Sequence, residues 1–525
     1  MHASETLILL LAAIAVFALL ARRLVIPYPI LLVLGGLLIS FVPGLPPVPL
    51  DPDLVLLVFL PPLLFAQAWS TPWKEFWAYR RSIFLLAVGL VLFTATTVAW
   101  ASHALLGLPW AVGFVLGAIV SPPDAVAANA IAQRLGLPRR ITTILEGESL
   151  VNDATGLVAY KFAVAAVLTG SISFAEAGGS FLWMCVGGVG IGWGVAWCSA
   201  QLFTRIKDDA VTITLSLLVP NICYVAAERA HASGVLSAVT AGLFLGWRAP
   251  GMLSASARLQ AEAVWDMLVF LLNSVIFLLI GLQLPAVRAH LSNYSLPTLM
   301  SYASAIVVVV VAVRPLWVFP GAYLPRWLNS NIRKNEPMPT WRGVVIVSWS
   351  GMRGVVSLAA AMALPVATNE HIAFPHRDLI LFLTFAVILA TLVGQGLTLG
   401  PLIRWLGIDP EPREENQEIA MRVALTQAAQ RRIDELSREE RMPETAVAAV
   451  RAQYGERMKH LTDEQAHVLG WSSHREELVA MRRLRREALG AERARLIELH
   501  REGKLTQELR YALQHELDLE EAKLG

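Results

Sequence analysis

The scarcity of charge in most of this chain constrains it more than any other feature. Of 43 Lys/Arg and 41 Asp/Glu in 525 residues, 20 and 23 lie in residues 411–525, leaving only 23 and 18 for the first 410 positions. Charged residues make up 16% of the whole and hydrophobic ones 55%, with a mean hydropathy of +0.55, whereas charged residues reach about a quarter of ordinary soluble domains. Two solvents are implied: a membrane for the first 410 residues and water for the rest.

About 20 apolar residues cross a hydrocarbon core as a helix. Runs that meet this need, or approach it, fall near 7–21, 28–42, 54–69, 83–106, 111–132, 141–168, 180–204, 210–227, 233–247, 264–285, 298–320, 343–366 and 378–403. The expectation is an all-α polytopic membrane protein of about thirteen transmembrane helices, since lipid offers backbone polar groups no other partner. The first run is expected to be a retained span, because no basic segment precedes it and no small-residue cleavage site follows it before Arg22-Arg23. The odd-numbered connections carry sixteen Lys/Arg, and the even-numbered ones only Arg229, Arg288 and Arg377. That asymmetry places the N-terminus outside and the C-terminal tail in the cytoplasm. Cys185, Cys198 and Cys223 lie in apolar stretches and are expected to be small core residues, not a disulfide framework.

Few acidic residues lie deep in apolar sequence: Asp124, Glu148 and Asp153. A carboxylate there costs at least about 2.5 kcal/mol, so each is a candidate functional group. Asp124 follows Ser121-Pro122-Pro123. The prolines lack N–H groups, so the carbonyls of Ala118 and Ile119 lose their helical partners and the span must break. Ser121 as N-cap, Pro122 at N1 and Asp124 at N3 would restart it. A helix broken at mid-membrane beside a carboxylate is also how transporters build cation sites.

In Glu146-Gly147-Glu148-Ser149-Leu150-Val151-Asn152-Asp153, Asp153 lies about 20 Å along a helix that begins after Arg139-Arg140, near the bilayer centre. Ser149 and Asp153 share one face, and Glu148 and Asn152 the adjoining one. Arg353, between Gly351 and Gly354 in the twelfth run, needs a carboxylate partner. Glu148 is the expected one, because pairing Asp153 would remove the titratable group. Lys161 and Arg314 are expected to snorkel to the interface, and Asp266 to open the tenth span.

These three clusters resemble the monovalent cation:proton antiporters, in particular the NhaP-like antiporters and sodium/proton exchangers. The likeness covers residues 1 to about 405 through Ser-Pro-x-Asp-Ala-Val-Ala at 121–127, Gly-Glu-Ser-x-x-Asn-Asp at 147–153 and Gly-x-Arg-Gly-Val-Val-Ser at 351–357. It implies that Asp153 alternately binds Na⁺ and H⁺, that Ser149 and Asp124 help hold the metal ion, and that Asn152 marks the branch with electroneutral one-for-one exchange. By the same resemblance, Glu148 and Arg353 form a structural ion pair. The broken fifth helix, at Pro122-Pro123, crosses the broken twelfth, at Gly351 and Gly354, as members of inverted repeats. It further implies a homodimer in a bacterial-type inner membrane. Scaffold helices would lie at about 7–69 and 210–285, a linker helix at 180–204, and transport-core helices at 83–168 and 298–403. The partners implied are Na⁺, H⁺ and lipid, with no cofactor, nucleic acid or enzymatic activity. The chain departs from the family pattern at Pro123, where relatives often have Thr, and at Ala66-Gln67, where some have Glu.

A cation channel lined by Asp124 and Asp153 is the rival from another class, and a potassium-selective exchanger the rival within the class. A membrane hydrolase is disfavoured, because no nucleophile or metal-binding motif accompanies the buried carboxylates. Residues 411–525 contain no Phe and a single Trp, Trp471, so amphipathic helices are expected there without a sizeable core. His460, His467 and His474 recur every seven residues and are expected on one solvated face, with pH sensing as the alternative.

Overall fold

The computed structural model describes residues 3–24, 26–42, 55–169, 174–283, 291, 294–336, 338–365, 373–408, 412–439, 443–468 and 475–501, with isolated positions from 513 to 520. Contacts divide the chain into two units, Met1–Asp409 and Pro410–Gly525.

Helices occupy all thirteen apolar runs of the first unit. They are α1 (Ala3–Leu24), α2 (Tyr28–Ile39), α3 (Val55–Ser70), α4 (Arg80–Leu106), α5 (Trp110–Val120) with α6 (Val126–Arg134), α7 (Arg139–Thr169), α8 (Phe174–Phe203) and α9 (Asp209–Arg229). There follow α10 (Gly234–Met252), α11 (Ala255–Leu282), α12 (Leu296–Leu328), α13 (Trp341–Trp349) with α14 (Val355–Met362), and α15 (Arg377–Leu406). Among the described residues, seven helices are long and apolar enough to cross a membrane, and Tyr28–Ile39, Val55–Ser70, Trp110–Val120 and Gly234–Ala249 are shorter apolar ones. The two interrupted pairs, α5/α6 and α13/α14, fall on the fifth and twelfth runs. The tenth run starts earlier than expected: Ser254 caps α11 by accepting the Ala257 N–H at 2.9 Å. Asp266 therefore lies inside the helix, on an exposed face, and does not open it.

Two neighbourhoods of packing emerge. In one, α2 lies along α11, and α3 and α8 lie along α10. Glycines allow the close approach: a Cβ at Gly36 would strike the Leu278 carbonyl, and one at Gly246 the Trp69 carbonyl. Small residues that admit a neighbouring backbone are the usual device for helix packing where lipid removes the hydrophobic drive. In the other neighbourhood, α4 lies along α5 and α12, α7 along α5, and α14 along α15. Of the cysteines, Cys223 is buried, Cys185 half-buried and Cys198 exposed. The core expectation thus holds fully for Cys223 alone, because Cys198 shares the outward face of α8 with Trp193 and Trp197.

The second unit contains α16 (Pro412–Glu439), α17 (Glu444–Val468) and α18 (Arg475–Arg501). The first two pack together, with Arg451 donating to Asp434 at 2.6 Å. His460 and His467 fall on α17, whereas Trp471 and His474 lie outside the described residues.

Candidate functional site

Pro122 and Pro123 stop α5, because neither carries an N–H to continue its hydrogen-bond ladder, and Ser121, still α-helical in φ and ψ, closes it. Ser121 therefore ends α5 instead of capping α6, which corrects the expected capping box: its Oγ donates to the Ala118 carbonyl at 3.0 Å. Asp124 takes the capping role. Its Oδ1 accepts the Val126 N–H at 2.8 Å, and the Val355 N–H also points to its carboxylate. One side chain thus caps the N-terminal ends of α6 and α14, where the helix dipoles favour negative charge. Gly354, the residue before α14, makes this possible, because a Cβ there would collide with the Asp124 carboxylate.

The two breaks cross. Asp124 N–H donates to the Met352 carbonyl at 2.7 Å, which leaves the Val120 carbonyl without its helical partner. Arg353 supplies one: its Nε donates to Val120 O at 2.7 Å and its Nη1 to Gly351 O, while its backbone N–H donates to Thr391 Oγ1 at 3.0 Å. The guanidinium is 1% exposed and lies at the C-terminal end of α5, where cations are favoured.

Glu148 does not pair with Arg353, contrary to the sequence-based expectation. Its carboxylate receives Nη1 and Nη2 of Arg314 at 2.5 and 2.8 Å, with both side chains at most 2% exposed, and Arg314 Nε donates to Val347 O at 2.9 Å. Arg353 instead satisfies carbonyls freed by the helix breaks. Arg314 does not snorkel either, because α12 continues through Pro315, Pro320 and Pro325 to Leu328 and places it inside the protein. Lys161 also finds a protein partner, Glu228, with Nζ 2.9 and 3.0 Å from its two carboxylate oxygens.

α7 brings the remaining residues to the crossing. Asn152 Nδ2 donates to Pro123 O at 3.1 Å, and the Ala125 N–H reaches Ser149 Oγ at 3.4 Å. A Cβ at Gly156 would press on the Pro122 ring, so helix and break are in close contact. Asn152 Oδ1 is buried and unpartnered. Asp153 is 6% exposed and near enough to Asp124 for their charges to interact, yet no described residue hydrogen bonds or pairs with its carboxylate. Asp124 is spent on helix capping; Asp153 is free. A carboxylate withdrawn from water without a partner demands a proton or a cation.

Three contributors escape a reading of the sequence. Tyr28 hydrogen bonds Asn273 and lies close enough to Asp124 to feel its charge; a Tyr and an Asn on separate helices leave no local signature. Thr391 receives the Arg353 N–H from a π-helical turn, Ala390–Gln395. Such turns often accompany functional sites, but nothing in the apolar run announces this one.

A family profile described as "Sodium/hydrogen exchanger, transmembrane" matches residues 7–405. An uncharacterised Na⁺/H⁺ exchanger of Mycobacterium tuberculosis is 33% identical over 526 aligned positions, covering 99% of this chain and 95% of that protein. A sodium, potassium, lithium and rubidium/H⁺ antiporter of Bacillus subtilis is 33% identical, covering 93% and 73%. The solved structure of the sodium proton antiporter MjNhaP1 from Methanocaldococcus jannaschii superposes with a TM-score of 0.59 at 21% identity, covering 78% of this chain and 100% of that one, and so shares the fold. The broken, crossed helices thus sit in a chain that belongs to the sodium/hydrogen exchanger family.

Proposed function

We propose that this protein exchanges Na⁺ for H⁺ across a bacterial-type plasma membrane by alternating access. The observation that carries the reading is the contrast between two neighbouring carboxylates, Asp124 fixed by two helix N-termini and Asp153 without a partner among the described residues. Na⁺ and H⁺ compete for Asp153. Ser149 and Asp124 lie beside it as further oxygen ligands, and the unpartnered Asn152 Oδ1 adds a neutral one. A hard monovalent cation suits such an all-oxygen set. One free carboxylate next to an amide supports electroneutral one-for-one exchange.

In this reading the chain crosses the membrane thirteen times, with the N-terminus outside and the tail in the cytoplasm, as the Lys/Arg asymmetry of its connections indicates. The helices around the crossing move as a transport core against a dimer-forming scaffold of α1 to α3 and α9 to α11. The Bacillus subtilis relative names K⁺, Li⁺ and Rb⁺ besides Na⁺, so the cation series belongs in the assay.

The test is dye-reported proton flux in proteoliposomes, with Na⁺, Li⁺ and K⁺ added in turn and the membrane potential clamped. Exchange is expected with the natural protein and none with Asp153→Asn; exchange retained by that variant refutes the assignment. Cation flux without proton counterflow would identify a channel instead.

A further inference from the structure

We propose that Lys161 and Glu228 form a latch that closes the outer entrance to the Asp153 site. The inference rests on the exchange reading and its orientation, and assigns a gate to that same site. Asp153, Leu157 and Lys161 recur at four-residue spacing and so share one face of α7, each a turn farther from the cytoplasmic end. A small cavity of about 50 Å³ lies against this face, bounded by Leu157, Lys161, Tyr224, Glu228, Val235 and Ala360. That is room for a few water molecules. One turn farther in, Leu150 and Ala154 of α7 pack in an apolar cluster with Leu60, Leu64 and Val239 of α3 and α10. The cavity therefore stands between the apolar layer and the Lys161–Glu228 pair.

The two partners sit on helices that are tethered to different neighbours. Lys161 rides on α7, which is bonded to the helix crossing through Asn152 and Ser149. Glu228 is in the last turn of α9, and its Oε1 also receives the Gly234 N–H at 3.5 Å. The turn that follows is tied to α8: Trp183 Nε1 donates to Ala230 O at 3.0 Å and the Ser233 N–H to Met184 O at 3.1 Å. A displacement of α7 away from α8 and α9 by more than the side chains can span would part the pair, so in this proposal it holds while the two helices stay together. Its side chains are 42% and 37% exposed. A half-exposed pair biases an equilibrium by no more than about fivefold, which suits a latch that opens in each cycle.

The experiment uses the full chain in cells and in inverted vesicles, with Cys185, Cys198 and Cys223 replaced by Ser and Leu157→Cys as reporter. Modification by a membrane-impermeant thiol reagent is timed from each face. Glu228→Gln and Lys161→Gln are each expected to accelerate labelling from outside by about threefold to fivefold, as loss of a half-exposed pair predicts. The charge-reversed double variant, Lys161→Glu with Glu228→Lys, is expected to restore slow labelling, which also reports correct folding. Unchanged labelling in both single variants overturns the latch, as does acceleration from the cytoplasmic face. Flux of Asp153→Asn in otherwise natural protein separates the two proposals: lost exchange together with unchanged labelling leaves the exchange reading standing and removes only the latch.

Discussion

Glu148 and Arg314 form a two-pronged ion pair, 2.5 and 2.8 Å long, with neither side chain more than 2% exposed. The pair joins α7 to α12, and through Arg314 Nε to the end of α13. Removing one partner of such a pair leaves a buried charge and costs about 3–5 kcal/mol, whereas replacing both by apolar groups of similar size is often neutral. Glu148→Gln and Arg314→Met should therefore each lower the melting temperature in detergent strongly. The double variant Glu148→Leu/Arg314→Met should recover most of the loss. Equal losses in single and double variants would show that the pair is not the stabilising unit.

Gly354 is required by contact. A Cβ there would occupy the position of the Asp124 carboxylate, whereas one at Gly400 would meet nothing within 4 Å. Overpacking typically costs about 1–3 kcal/mol, and here the group displaced caps two helices. Gly354→Ala should lower both exchange and stability while Gly400→Ala leaves them unchanged, as proteoliposome flux and thermal melting will show.

Between α12 and α13, Glu336 accepts Arg81 Nε at 3.0 Å and Nη2 at 2.6 Å, and Arg326 Nη2 at 2.8 Å. The Arg81 hydrogen bonds, aided by the nearby charges of Arg81, Arg326 and Arg140, hold its pKa below the ordinary 4.5 against the opposing effect of burial. A carboxylate whose pKa is lower in the folded state stabilises the fold above its unfolded value and loses that contribution as pH falls through the folded one. The natural protein should thus lose stability on acidification below about pH 4.5, the ordinary glutamate range. Glu336→Gln should be less stable at neutral pH and lack this part of the acid-induced loss, measurable by melting curves across pH.

The helix breaks and the polar clusters were legible because each violates what lipid allows: two prolines in an apolar run, an Asp at mid-span, an Arg between glycines. Partner identity was not. Arg314 looked interfacial because a proline-punctuated run ends near residue 320, yet α12 tolerates Pro315, Pro320 and Pro325 and carries on to Leu328. Arg353 looked like the ion-pair partner because a buried guanidinium needs acceptors; backbone carbonyls freed by a break elsewhere in the chain supply them, and no residue spacing reports that. The same holds for Tyr28 and Asn273, which meet near Asp124 only through tertiary packing.

Asp124 and Asp153 should respond oppositely to mutation. Asp124 accepts N–H groups at the starts of α6 and α14, and losing a capping acceptor costs about 0.5–2 kcal/mol per helix. Asp124→Ala should therefore destabilise the protein as well as impair exchange. Asp153 has no partner among the described residues, so Asp153→Asn removes an uncompensated buried carboxylate and should abolish exchange while leaving the melting temperature equal or higher. Cation binding adds a second discriminator. A ligand at a hundred times its dissociation constant stabilises the folded state by about 2.7 kcal/mol. Added Na⁺ at alkaline pH should raise the melting temperature of the natural protein and leave that of Asp153→Asn unmoved. A Na⁺-induced rise of equal size in both would place the cation away from Asp153.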